Sequence, residues 1–209
     1  MATDSKQWLQ WISEIQALCR TGLAYTDNEF DRLRFLRINE IVAEVTAEIT
    51  LSPPDVTKSL FAMEQTSYAT PLIDIRSFVL QDNKVLLVKE RADGLWTLPG
   101  GFADVNEPPS EAVVRETLEE SGYLVKPTRL LALWDKLKHD HPLQWPHIYK
   151  CMFHCELISG EPQINIEISE IDFFPLDKLP PLSTPRVTAT QMQRLYALIQ
   201  DGGHETIFD

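Results

Sequence analysis

The hydrophobic spacing of this chain changes period once, near residue 66, and that change bounds what it can fold into. Before it, apolar residues recur at three- and four-residue steps. Trp8, Leu9, Ile12, Ile15, Leu18 and Cys19 form one stripe, and Phe30, Leu33, Leu36, Ile41, Val42 and Val45 another, the mark of amphipathic helices. The first helix is expected over 6–20, ended by Thr21-Gly22, and the second over 27–48, capped by Asp27 or Asn28. A short third helix is expected over 54–63, after the Ser52-Pro53-Pro54 breaker. Past Gln65-Thr66-Ser67 the alternation becomes period two, and 71–80 and 84–89 read as a hairpin joined through Gln81-Asp82-Asn83. A strand at 95–98, a Pro99-Gly100-Gly101 breaker and a helix over 109–121 stopped by Gly122 come next. Strands at 123–126, 129–135 and 147–158, a loop segment and a helix near 188–201 complete the order. The expected fold is α+β: a helical N-terminal domain over 1–66, then a mixed domain over 67–209. A helical segment this short is marginal alone, so it packs either on the rest of the chain or on a second copy.

A length of 209 residues suits one ordinary domain with a small appendage. The 31 acidic against 19 basic residues, a net charge of -12, exclude extended nucleic-acid binding, which rests on many Lys/Arg contacts to phosphate. One segment is basic: 126–150 holds Lys126, Arg129, Lys136, Lys138 and Lys150 against two aspartates, enough to offer positive potential to a small anionic ligand. Cys19, Cys151 and Cys155 have neither disulfide-framework nor zinc spacing. With no signal-peptide pattern and no 18-residue apolar run, the expectation is a cytoplasmic protein that does not enter a membrane.

The chemistry concentrates in residues 101–123, GFADVNEPPSEAVVRETLEESGY. Glu116, Glu119 and Glu120 fall within about 100° of arc on one helix face. Like charges so placed repel, and a divalent cation converts the repulsion into binding energy; all-oxygen donors favour Mg²⁺, Mn²⁺ or Ca²⁺. Arg115 can hold a carboxylate by a two-pronged hydrogen bond, with Glu107 at the helix entrance as its partner. The Pro99-Gly100-Gly101 turn lets a backbone carbonyl approach the same cation. Taken alone, the triplet reads first as a solvated acidic face.

The wider spacing resembles the Nudix box, Gly-x5-Glu-x7-Arg-Glu-U-x-Glu-Glu-x-Gly-U with U apolar, through Gly101, Glu107, Arg115, Glu116, Glu119, Glu120, Gly122 and Tyr123. The seven fixed identities, Tyr123 filling an apolar U position, would coincide by chance on the order of once in a million chains of this length. Thr117 departs from the aliphatic residue usual at the first U. The resemblance implies a Nudix hydrolase fold, an α/β/α sandwich in which Glu116, Glu119, Glu120 and the Gly100 carbonyl bind Mg²⁺ or Mn²⁺. Arg115, Glu116 and Glu119 would serve catalysis, while Gly101, Glu107 and Gly122 hold the box in shape. The general base is either Glu116 or a glutamate of a later segment, Glu167 or Glu170. The implied reaction splits a nucleoside diphosphate linked to a group X. The leader, with the stretches YATPLIDIRSF, LLALWDK and EISEIDFFPLDKLPPLS, further resembles the bacterial Nudix subgroup with a helical N-terminal domain, which includes CDP-choline and ADP-ribose pyrophosphatases. That likeness implies a small nucleotide substrate and a homodimer.

The other candidates have more than one reading. Arg76 meets a phosphate or lies on the surface. Trp134, ahead of Trp96 and Trp145, stacks on a base or fills the core. His139, Asp140 and His141 read as a metal pair or, lacking a third strong ligand, as a polar loop near the substrate or merely exposed residues, and Lys136 joins His139 as a candidate for substrate binding. A sensor that binds a nucleotide without cleaving it, and hydrolysis of oxidised nucleoside triphosphates or RNA 3′ ends, are the competing functions.

Overall fold

A computed structural model describes residues 5–51, 53, 70–104, 106–144 and 146–209. The chain divides into two compact units, Met1–Pro71 with Leu143–His147, and Leu72–Pro142 with Ile148–Asp209.

The first unit is built on α1 (Ser5–Tyr25) and α2 (Glu29–Thr50), packed through Ile12, Val42 and Ala43. Asn28 caps α2, its side chain accepting from the Phe30 and Asp31 amides. Thr21-Gly22 does not end the first helix as the sequence suggested. The Thr21 hydroxyl donates to the Ala17 carbonyl at 2.9 Å inside the helix, and Gly22 leaves room for the Phe35 ring, which would stand 2.4 Å from a Cβ there. Trp8, Trp11, Ile15 and Leu18 of α1 and Phe30, Leu33, Ile41 and Val45 of α2 remain exposed. The third helix expected over 54–63 lies outside the described residues.

In the second unit, β1 (Leu72–Gln81) and β2 (Lys84–Glu90) form a hairpin. Asp82 and Asn83 both adopt positive φ, the geometry a tight two-residue turn needs. The two strands pair only at the tip, Leu80 with Val85 and Gln81 with Lys84, and then diverge. β1 continues parallel to β5 (Ile148–Gly160), which pairs antiparallel with β4 (Tyr123–Asp135), itself edged by β7 (Ile207–Phe208). β2 continues against β6 (Ile168–Pro175) and the short β3 (Trp96–Thr97). Segment 96–103 fills the gap so opened: Trp96 and Thr97 pair with β2, while β1 and the glycine turn exchange bonds Ser77 N to Pro99 O at 2.9 Å, Ile75 N to Gly101 O at 2.7 Å and Ala103 N to Ile73 O at 3.0 Å.

The alternation of β1 and β2 sorts side chains onto two faces. Phe78, Val85 and Leu87 join Trp134, Met152, Met192 and Leu195 under α4 (Ala189–Gln200), and Ile75, Val79 and Leu86 join Ala112, Val113 and Cys155 under α3 (Pro109–Ser121). Helices on both faces give the sandwich the box implied.

Three elements differ from the sequence reading. The strands expected at 123–126 and 129–135 are one strand, kept continuous past Pro127 by shifts of register. The segment read as loop contains β6, ISEIDFFP, in which Glu170 and Asp172 are exposed while Ile171 and Phe173 pack on one core cluster and Phe174 on the other. The strand at 95–98 shrinks to Trp96–Thr97, since the chain must turn into Pro99. Among the described residues no helix is long and apolar enough to cross a membrane.

Candidate active site

The carboxylate helix is fixed at both ends and along one side. Pro109 takes its first turn, where proline loses no hydrogen bond. Gly122 stops it at φ 76° with its amide bonded to the Leu118 carbonyl, and a Cβ there would meet the Glu161 carbonyl oxygen at 2.4 Å. Ala112 and Val113 anchor the inner face. Thr117, the departure from the box, is fully buried yet satisfied, its hydroxyl donating to the Val113 carbonyl at 2.6 Å.

Arg115 organises the outer face. Its Nε and Nη2 donate to the two oxygens of Glu107, both at 2.8 Å, and Nη1 reaches Glu116 at 2.9 Å and Glu119 at 3.1 Å. The hydrogen bond to Glu107 is the first of several that raise the guanidinium above its ordinary value, and the same bond lowers Glu107. Glu116 is partly buried, and desolvation raises its carboxyl despite Arg115. Glu119 is exposed.

Glu120, one turn after Glu116, is buried and meets the glycine turn instead of Arg115. It accepts a hydrogen bond from the Gly100 amide at 2.7 Å. Burial pushes its carboxyl up to about 7, assisted by Glu90 and Glu116 and opposed by Arg76 and the Gly100 amide. Gly100 itself sits at φ 137°, and a Cβ would fall 2.0 Å from the Ile75 carbonyl oxygen, so only glycine brings the turn this close to β1. Gly101 likewise leaves room for Glu116, whose carboxylate would lie 2.8 Å from a Cβ there.

Behind these carboxylates runs a buried line of charge. Arg76 donates to Asp74 at 2.9 Å and to the Leu98 carbonyl at 3.0 Å, and feels Glu120 and Glu90. It is therefore no surface arginine. Asp74 also takes a short hydrogen bond from Lys150, which is 1% exposed. Burial alone would raise Asp74, but Arg76 and Lys150 outweigh it and hold the carboxyl below its usual range. Lys136 is buried nearby, its ammonium lowered to about 8 by desolvation and then by Lys150. Arg186 closes the line, with Nε 3.0 Å from Glu90 and Nη1 2.9 Å from Asp93.

Three candidates have partners of their own. Trp134 is completely buried in the core below α4, so it has no face to offer a base, and its stacking reading is corrected to a packing one. Its ring packs against His139 at 4.8 Å, and His139 Nε2 lies 3.1 Å from Asp209, which fixes that histidine to the C-terminal strand segment. Glu170 stands on β6 opposite Lys89, bonded to it at 2.7 Å and exposed, with no bond to Arg115 or Gly100. Trp145 lies outside the described residues. Sequence reasoning missed Asp74 and Glu90, and saw Lys150 only as one member of a basic segment. The signal was available for Asp74, an acid alternating with Arg76 inside an otherwise apolar strand, where each needs the other; Lys150 enters only through the parallel β1–β5 register, Asp74 opposite Lys150.

Chemically the donors are hard oxygens, and burial raises the Glu116 and Glu120 carboxyls despite the nearby arginines, which fits a divalent cation. Among the described residues no three His, Cys, Asp or Glu side chains already converge as a cage. Glu116 and Glu119 are instead drawn to Arg115.

Comparison with known proteins agrees with this geometry. Residues 72–196 match the NUDIX domain, and residues 6–61 match the UDP-X-like, N-terminal oligomerisation domain. A Bacillus subtilis (strain 168) protein, YjhB, whose name carries a provisional ADP-ribose pyrophosphatase assignment, is 39% identical over 97% of both chains. A crystal structure of a UDP-X diphosphatase superposes with a TM-score of 0.64 at 31% identity, covering 99% of this chain and 100% of that one. The crystal structure of an ADP-ribose pyrophosphatase from Streptococcus suis 89-1591 covers 67% of this chain and 100% of its own at 40% identity, with a TM-score of 0.62. A family match over more than half the chain, with a relative alike from end to end, establishes that the chain belongs to the Nudix hydrolases.

Proposed function

We propose that this chain is a Mg²⁺-dependent pyrophosphohydrolase that cleaves a nucleoside diphosphate linked to a group X, of the ADP-ribose, UDP-X or CDP-choline type, into a nucleoside monophosphate and phosphorylated X. The observation that carries the reading is the Glu116, Glu119 and Glu120 face, with Arg76 and the Asp74–Lys150 pair buried directly behind it. The names of relatives similar along the whole chain support the same reaction.

Nudix enzymes use a divalent cation. Glu116, Glu119, Glu120 and the Gly100 carbonyl would hold it, and once bound it withdraws charge from the bridging phosphates and acidifies water. Arg115, clamped by Glu107, positions Glu116 and Glu119. Water adds to one phosphorus, the bridging oxygen departs with the other phosphate, and the water proton passes to Glu116. Glu116 suits that role better than Glu170, because its carboxyl is raised by burial at the site while Glu170 is tied to Lys89. Arg76 and Lys136 supply positive potential to the substrate phosphates.

The exposed apolar stripes of α1 and α2, in the region matching an oligomerisation domain, fit a homodimer. The buried free thiols Cys19, Cys151 and Cys155 fit a cytoplasmic setting. A panel of ADP-ribose, UDP-glucose, CDP-choline, NADH and nucleoside triphosphates, with and without Mg²⁺ and with products identified, tests the reading. Metal-dependent release of a monophosphate from a diphosphate-linked compound supports it, and failure to cleave any would leave a nucleotide sensor.

A further inference from the structure

The loop after β4 carries two histidines with different surroundings. His139 is committed to the fold, with its ring against Trp134 and Nε2 beside Asp209. His141 is not. Its Nδ1 lies 2.7 Å from the Thr184 carbonyl oxygen. A carbonyl can only accept, so Nδ1 carries the proton and Nε2 keeps a lone pair. That Nε2 is buried and has no hydrogen-bond partner among the described residues. Burial lowers the imidazole to about 4, and Lys150 and Lys136 act in the same direction, so the ring is neutral near pH 7. His141 is thus a fixed acceptor in want of a donor, an arrangement that costs stability until something donates to it.

Its place in the unit says what that donor belongs to. The line of charge that begins at Glu120 runs through Arg76, Asp74 and Lys150 to Lys136, and both lysines act electrostatically on His141. Thr184, whose carbonyl accepts from Nδ1, shares a turn with Arg186, the residue 3.0 Å from Glu90 that closes that line, so a group seated beside Nε2 stands at its far end. A quaternary ammonium is rejected there twice: it has no N–H or O–H for Nε2, and it adds positive charge next to Lys136 and Lys150. A sugar hydroxyl satisfies Nε2 and brings no charge.

We infer that His141 is a specificity-determining residue whose Nε2 accepts a hydrogen bond from a hydroxyl of X, so that X is an uncharged, hydroxylated group and not a quaternary ammonium base. This rests on the pyrophosphohydrolase reading and narrows its substrate class. CDP-glucose and CDP-choline share a nucleotide and differ only in X, so their ratio of kcat/KM isolates the contact. His141→Phe removes the acceptor, whereas His141→Gln returns an oxygen near the Nε2 position. The wild type is expected to favour CDP-glucose, His141→Phe to reduce that ratio about tenfold or more, and His141→Gln to restore most of it. Thermal melts confirm that both variants fold. A ratio unchanged in His141→Phe, or a wild type favouring CDP-choline, overturns the inference while leaving the pyrophosphohydrolase reading intact. If neither CDP compound is cleaved, calorimetric binding of CDP-glucose to the same proteins decides the role of His141: affinity lost in His141→Phe and regained in His141→Gln supports it, and no binding or equal binding overturns it, while the pyrophosphohydrolase reading itself fails only if no diphosphate-linked compound of the wider panel is cleaved.

Discussion

Neutralising Glu120 should make the metal-free protein more stable at alkaline pH, although it alters a proposed metal ligand. The Glu120 carboxyl sits at about 7 in the fold against an ordinary 4.5, chiefly because burial penalises its charge. Between those values the folded state binds more protons than the unfolded chain, so stability falls as pH rises through the window. The gap of roughly 2.5 pH units, at about 1.4 kcal/mol each, amounts to about 3 kcal/mol once the group is fully ionised. Glu120→Gln mimics the neutral form and keeps an oxygen for the Gly100 amide. Melts in excess chelator at pH 5 and pH 8.5 should show the variant close to wild type at the lower pH. At the higher pH it should melt roughly 6–12 °C above wild type, from about 2–4 °C per kcal/mol for a chain of this size. Adding Mg²⁺ at pH 8.5 should raise wild type more than the variant, because the cation compensates the buried charge. A difference between variant and wild type that stays constant from pH 5 to pH 8.5 would refute the claim that Glu120 is held in the fold with an unmet charge.

Three further outcomes follow from particular contacts. Glu119→Gln, on an exposed side chain, should lower metal-dependent turnover on the order of a hundredfold with an unchanged melting temperature; undiminished turnover would remove Glu119 from the metal site. Gly100→Ala places a methyl against the Ile75 carbonyl at a positive φ and should cost about 3 kcal/mol or more in urea unfolding. Lys150→Met strands Asp74 beside Arg76 alone and should cost about 3–5 kcal/mol, part of which Lys150→Met combined with Asp74→Asn should recover.

The carboxylate helix was legible because its information is local. The three- and four-residue spacing of Glu116, Glu119 and Glu120 fixes their common face, and Gly122 marks the end in the sequence as in the fold. β6 was hidden because its partner, β2, lies some eighty residues away, and a half-covered strand rich in charge looks like a loop. Gly22 misled for the opposite reason: it reads as a helix stop, but its role is to admit the Phe35 ring from the neighbouring helix.

By itself, then, the sequence determined the family, the two-part organisation and the face on which the carboxylates stand, since short-range periodicity and fixed spacing survive any tertiary arrangement. Only the tertiary structure decided how each charge is used. Burial converts Glu120 into a carboxyl near 7, Trp134 into core and Lys150 into the partner of Asp74. It also separates His139, held by Asp209, from His141, whose Nε2 is left wanting a donor. Desolvation and hydrogen-bond satisfaction depend on what the whole fold brings to a side chain, and no local pattern carries that information.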